Sequence, residues 1–267
     1  MAYLELHYHS DALKKAVTVN VILPERAKTL IGMETDGNST ACYKTLYLLH
    51  GLSDDHTIWM RRTSIERYAN DCGIAVVMPS VDRSWYTDTA SGAPYFTFLT
   101  DELPRVCRGY FRGMSYRRED NLIAGLSMGG YGAIKAALLC PECFGYCASL
   151  SGALNVAART PKASELEEWR GIFGFSLESA AELRGTDHDL FAIAARNQAA
   201  GVAFPKVFMW CGTEDRLLES NRQFDAHLTD LGVPHLYQES EGNHSWKWWD
   251  LHIQDALKYV LGDPETV

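Results

Sequence analysis

Gly125-Leu126-Ser127-Met128-Gly129 constrains this chain more than any other stretch of it. The pentapeptide follows a short apolar run, Asn121-Leu122-Ile123-Ala124, and precedes Gly130 to Leu139, which reads as a helix. Strand, tight turn, helix is the setting in which G-x-S-x-G becomes a nucleophile elbow. A serine at such a tip sits on a strained backbone with its Oγ exposed. The start of the helix aims N–H groups and a positive dipole end at the place where an oxyanion would form. The bland alternative is a glycine-rich turn carrying an ordinary surface serine, and the flanking pattern disfavours it.

Around the elbow, short β-type runs alternate with helical ones. The runs are 16–23, 45–50, 74–79, 122–125, 146–151, 206–212 and 234–239. The first alternates apolar and polar residues and suits a half-exposed strand near an edge. Thr45 to His50 and Ile74 to Pro79 are nearly all apolar, as strands buried on both faces should be. Helices are expected over 65–71, 98–110, 131–139, 222–231 and 248–261. This alternation predicts one α/β domain spanning 1–267, with a mostly parallel sheet covered on both faces. Ligands in such sheets sit at the carboxyl ends of the strands. Residues 152–201 break the rhythm with an aromatic-rich stretch around Trp169 and a helix expected over Leu177 to Leu183. An insertion there suits a lid or pocket wall, and extra packing against the sheet is the equal alternative. It can also build a subunit interface, so a homo-oligomer is compatible with it.

Charge narrows the partners. The 34 acidic residues against 25 basic ones give a formal net charge of −9. That argues against nucleic acid and anionic membrane as main partners. No apolar run approaches the ~18 residues of a membrane span. The N-terminus has no basic region followed by an apolar core, so a cytoplasmic location is expected. The seven cysteines, an odd number, suit reduced thiols. Cys140-Pro141-Glu142-Cys143 is a C-x-x-C, but it lacks a second ligand pair for zinc, and Cys140 closes a helix rather than opening one.

A serine hydroxyl needs a base within hydrogen-bond reach and an acid to orient that base. In the elbow-type order the acid and then the histidine follow the serine. His227 and His252 sit in helical patterns, and His235 lies inside a strand. His244, in the polar loop Glu241-Gly242-Asn243-His244-Ser245-Trp246, stands where the base should be. Trp210 to Asp215 ends the preceding strand, and both Glu214 and Asp215 qualify as the acid. One oxyanion N–H belongs to Met128. The other should come from an earlier strand end, where the Gly51 turn can aim the Leu52 N–H inward. His50 reads as structural. His56, Trp59, Trp85 and Tyr86 are candidate pocket residues, and Trp246 could join the tryptophan and tyrosine at 85–86 as an aromatic wall.

With those residues assembled, the chain resembles the esterase D-like family. Leu48-Leu49-His50-Gly51-Leu52-Ser53-Asp54-Asp55-His56-Thr57-Ile58-Trp59 is similar to its oxyanion segment. Four further blocks agree: Trp85-Tyr86-Thr87 with Tyr95 and Glu102-Leu103-Pro104; Gly125 to Gly132; Cys211 to Asp215; and Gly242 to Trp246 with Trp249. The family includes S-formylglutathione hydrolases, tributyrin and acetyl esterases, feruloyl esterases and mycolyltransferases. The resemblance implies an α/β-hydrolase fold and a Ser127–Asp215–His244 triad, which selects Asp215 over Glu214. It also implies oxyanion donors at Leu52 and Met128, no cofactor and no metal. Tyr131 stands where S-formylglutathione hydrolases usually carry histidine, and the tryptophan-rich Ser245 to Trp249 looks like the tributyrin and feruloyl esterase side. The expectation is a serine carboxylesterase acting on short acyl esters of small alcohols. Feruloyl esterase and thioesterase are alternatives on the same machinery, and a non-catalytic binding module is the alternative of another class.

Overall fold

Apolar strand cores stack into one sheet, and the side-chain period of two sends alternate residues to opposite faces. A computed structural model describes residues 1–25, 42–174 and 177–262. Within them the strands are β1 (Ala2–Ser10), β2 (Lys15–Leu23), β3 (Thr45–Leu49), β4 (Ala75–Pro79), β5 (Asn121–Leu126), β6 (Tyr146–Leu150), β7 (Lys206–Gly212) and β8 (His235–Ser240). They form a sheet in the order β1-β2-β4-β3-β5-β6-β7-β8. All pairings from β4 through β8 are parallel, while β1 pairs β2 and β2 pairs β4 antiparallel. The helices are α1 (Ile58–Arg62), α2 (Ile65–Asp71), α3 (Tyr95–Thr97), α4 (Leu103–Tyr110), α5 (Met128–Leu139), α6 (Ala163–Phe173), α7 (Leu190–Ala199), α8 (Leu218–Asp230) and α9 (Trp246–Leu261).

On one face, Tyr47, Val77, Ile123 and Val207 pack with Leu103, Ile134, Ile193 and Phe224. On the other, Leu46, Val76, Leu122, Phe208 and Trp210 pack with Ile65, Trp249, Ile253 and Leu257. α4, α5, α7 and α8 therefore cover the first face, and α2 and α9 the second.

Three regions depart from the sequence expectations. β1 was not anticipated. Its Tyr3, Glu5, His7 and His9 face outward, so the strand is too polar on one side to read as core. The helix expected over 98–110 begins earlier, at Tyr95, and runs through a π-helical turn at Phe98–Glu102 into α4. In the insertion, the expected helix over 177–183 is reduced to a single tight turn at Ala180–Leu183. The regular structure is instead α6 and α7, and residues 175–176 lie outside the described ones. No helix among the described residues is long and apolar enough to cross a membrane.

Candidate active site

β5 runs buried along its whole length and stops at Ser127, where α5 starts. The turn between them is tight enough to force Ser127 to φ 53° and ψ −116°, a strained region for a residue with a side chain. The two outer glycines of the motif permit that turn. A Cβ on Gly125 would lie 2.4 Å from the backbone carbon of Gly129, and one on Gly129 would lie 2.5 Å from the Leu49 carbonyl oxygen. The first turn of α5 thus sits directly against the ends of β3 and β5.

Two other strand ends bring partners to the Ser127 hydroxyl. His244, in the loop between β8 and α9, has its Nε2 3.1 Å from Ser127 Oγ. Its Nδ1 lies 2.8 Å from Asp215 Oδ2, on the turn after β7. Burial alone would raise the Asp215 carboxyl pKa. The hydrogen bonds from His244 and from the Leu217 N–H outweigh burial and hold it below the usual carboxylate range. An ionised carboxylate only accepts, so the His244 proton sits on Nδ1. Nε2 is left with a lone pair for the serine hydroxyl. Glu214 is exposed, and its N–H is given to the Gly242 carbonyl.

The remaining histidines have other partners. His227 Nε2 meets the Phe191 carbonyl, His235 pairs with Asp225, and His252 stacks on Trp210 with ring centroids 4.0 Å apart. His50 ties down the loop after β3. Its Nε2 accepts the Val81 N–H at 3.0 Å, so its proton is on Nδ1, which donates to the Gly51 carbonyl at 2.7 Å. Burial lowers the His50 pKa, consistent with this neutral tautomer.

A cavity of about 490 Å³ opens over Ser127. Leu52, Met128 and Trp85 line it beside the serine, and so do Ala153, Asn155 and Arg159 of the insertion. Arg216, Glu219 and Gln223, from the turn after β7 and from α8, complete the wall. Of the aromatic and histidine candidates, only Trp85 is in it. Tyr86 is fully buried and donates its hydroxyl to the His50 carbonyl at 2.9 Å, so it braces the loop after β3 from behind. Trp59 is also buried, with its indole N–H on the Leu49 carbonyl at 3.0 Å. Trp246 packs edge-on between Trp59 and Trp249. His56 offers its carbonyl to Asn20 and stays out of the wall. These aromatic rings form a file, Trp59–Trp246–Trp249, that ends edge-on against the His244 ring at 4.8 Å. Trp249 also donates its indole N–H to Ser151 Oγ. Large rings near the site are thus used as its backing, because their area is worth more buried than exposed.

The Esterase family model matches residues 10–260. This chain belongs to the esterase family. It is 32% identical to the acetyl esterase of Caldicellulosiruptor saccharolyticus over 97% of this chain and 98% of that protein. Among solved structures it is similar to the Staphylococcus aureus fluorophosphonate-binding serine hydrolase F. That match has a TM-score of 0.86 and 35% identity, over 98% of this chain and 99% of that one. The S-formylglutathione hydrolase of Staphylococcus aureus superposes with a TM-score of 0.82 at 34% identity, over 98% and 99% of the two chains. The esterase is accordingly an α/β-hydrolase-fold serine esterase, a carboxylic ester hydrolase.

Sequence reasoning did not single out Arg159, Arg216 or the Asn155–Gln223 pair in the wall. Arg216 adjoins Asp215, and that adjacency was the available signal; the others carry no local pattern. It also passed over Lys135, which α5 buries beneath the insertion. Its ammonium lies 2.5 Å from Thr87 Oγ1 and 3.3 Å from His188 Nδ1. Among the described residues, no group of three or more His, Cys, Asp or Glu could hold a metal ion.

Proposed function

We propose that Ser127, His244 and Asp215 form the catalytic triad of a short-chain carboxylesterase, with the Leu52 and Met128 N–H groups as its oxyanion hole. The observation that carries this reading is the unbroken hydrogen-bonded line from Ser127 Oγ through His244 to Asp215, at the wall of a cavity that Leu52 and Met128 also line. The ester carbonyl settles with its oxygen toward the two N–H groups. Ser127 Oγ attacks the carbonyl carbon while His244 Nε2 takes its proton. Asp215 holds the imidazole in the required tautomer and stabilises the imidazolium. The alcohol leaves with the proton from His244, and water resolves the acyl-enzyme by the same route. The bounded cavity and the likeness to an acetyl esterase support acetyl to butyryl groups.

Residues 153–159 act as pocket wall in this reading, while α7 packs onto α5 and α6 sets Trp169 against Trp85, within a single domain. Tyr131 donates its hydroxyl to the His188 carbonyl, and Asn197 donates to the Leu138 carbonyl. The free thiols at Cys72, Cys107, Cys147 and Cys211 support a reducing, cytoplasmic setting. The substrate is a small molecule rather than a nucleic acid, in keeping with the acidic net charge, and the chemistry asks for no cofactor. A homo-oligomer remains open to measurement by light scattering.

The likeness to an S-formylglutathione hydrolase favours a second reading, a thioesterase on the same residues. A panel of p-nitrophenyl acyl esters from acetate to palmitate, with methyl ferulate and S-formylglutathione, separates the two. Turnover peaking at acetate to butyrate and lost in Ser127→Ala is the expected result. Rapid cleavage of the thioester or the ferulate, with simple esters untouched, would move the esterase to a specialised branch.

A further inference from the structure

We propose that the cavity over Ser127 selects esters carrying a carboxylate away from the scissile bond, and that Arg159 and Arg216 hold it. This rests on the serine-esterase reading above. Both arginines line the cavity together with Ser127. The Arg159 guanidinium lies 5.4 Å from the Trp85 ring centre and 5.3 Å from that of Trp169, which places it between two aromatic rings. Its contacts with Glu165 are long, 3.3 and 3.5 Å, and both leave from a single terminal nitrogen. The other guanidinium N–H groups have no protein acceptor among the described residues, and the side chain stays 35% exposed. Arg216 is exposed on the turn that carries Asp215, and it too has no hydrogen-bond or ion-pair partner among the described residues.

The acids nearby are already engaged or few. Asp215 is taken up by His244, and Glu165 by Arg159 and the Lys162 N–H. Glu219 is the one carboxylate in the wall besides, and it accepts from Gln223, which in turn accepts from Asn155. Two guanidinium groups therefore face one solvated carboxylate in a chain whose net charge is −9. The acyl-transfer chemistry needs neither cation, because the oxyanion is served by backbone N–H groups. A substrate carboxylate would match them, since a guanidinium fork grips a carboxylate through paired, charge-assisted hydrogen bonds. The carboxylate can sit on the acyl side or on the leaving alcohol, and the test resolves which.

The test compares wild type, Arg159→Gln, Arg216→Gln and the double variant on two matched pairs. Mono-p-nitrophenyl glutarate against p-nitrophenyl valerate exchanges a carboxylate for a methyl group on the acyl side. The m-acetoxybenzoate anion against m-tolyl acetate does so on the leaving side. In one pair, the anionic-to-neutral ratio of kcat/KM should fall about tenfold in a single variant and further in the double, mainly through KM. The pair that responds identifies the side. Ratios unchanged within about twofold in both pairs would overturn the inference. Arg216→Gln alters an exposed residue and reads the ratio even if Arg159→Gln misfolds. Neutral-ester turnover that depends on Ser127 alongside an unresponsive ratio would defeat this inference alone. Hydrolysis that survives Ser127→Ala would defeat the serine reading and this inference with it.

Discussion

The two ends of α5 bury polar groups by opposite means. At its start, Ser127 meets His244 and then Asp215, and a carboxylate closes the line. Two turns further on, Lys135 is sealed beneath Thr87, His188 and the rings of Phe96 and Tyr131, with no carboxylate in contact among the described residues. The consequences differ in sign. Asp215 keeps its charge despite burial because donors converge on it. Lys135 is pushed down to about 7, chiefly by desolvation, with Asp88 and Asp187 resisting only from a distance. Desolvation and the neighbouring ammonium likewise press His188 down to about 4. A buried polar group stays ionised when hydrogen-bond donors or a counter-charge are built against its charged form, and otherwise loses its charge. The first arrangement suits proton transfer; the second bears on stability.

Five measurements would break or sharpen that contrast. Ser127→Ala should lower kcat by about 10⁴ or more and abolish fluorophosphonate labelling, with little change in thermal stability. Residual activity of a few per cent in a contamination-controlled assay would place the nucleophile elsewhere. Asp215→Asn comes next, with a loss of about 10³ to 10⁴, because the carboxylate that orients the imidazole is gone. Trp249→Ala should cost roughly 3–5 kcal/mol in chemical denaturation and also slow turnover, since it removes the ring behind His244. A loss of stability with kcat untouched would show that the tryptophan file supports the core but not the histidine.

Lys135 supplies the pH test. Its folded pKa lies below its unfolded value near 10.4. Above pH 7 the unfolded chain therefore holds a proton that the folded chain has released, and stability should rise with pH. The slope is at most about 1.4 kcal/mol per pH unit, and it should show from about pH 7 to the thiol range near 8.5. Beyond that range the buried Cys107 thiol, pushed up to about 12 by desolvation, works in the reverse direction. Lys135→Met should flatten the rise in denaturant midpoints, and an unchanged slope would mean that the ammonium keeps its charge. The smallest effect belongs to Glu214→Gln. Its side chain is exposed and makes no hydrogen bond to His244, so activity should stay within about twofold.

Much of this arrangement was legible from local chemistry. The elbow at 125–129 is written in its glycines, because only they allow the close approach of α5 to β3 and β5. His244 stood out because it lies in a polar loop, whereas His227 and His252 fell inside helices and His235 inside a strand. The buried parallel strands announced themselves as continuous apolar runs. β1 did not, since half its side chains face solvent. Three of the four aromatic candidates, Trp59, Tyr86 and Trp246, lie outside the cavity wall for a related reason. A tryptophan or tyrosine satisfies a core or a pocket wall equally well, and composition cannot say which side of a loop it takes. Trp85 lines the cavity while its neighbour Tyr86 is swallowed behind it.

By itself, then, the chain's sequence determined the strand–turn–helix that strains Ser127, the order of serine, acid and histidine, and a sheet whose carboxyl edge carries them. Those follow from periodicity, turn chemistry and chain order, which act over a few residues at a time. Local chemistry left Asp215 and Glu214 open and only the family resemblance chose between them; the tertiary structure puts the Asp215 carboxylate on His244, because the turn's dihedrals decide which of two adjacent side chains meets the loop. It alone brought Arg159 of the insertion and Arg216 of the turn after β7 into one cavity, and buried Lys135 without a counter-charge. Those outcomes depend on segments distant in the chain meeting in space, where packing and desolvation set the energies.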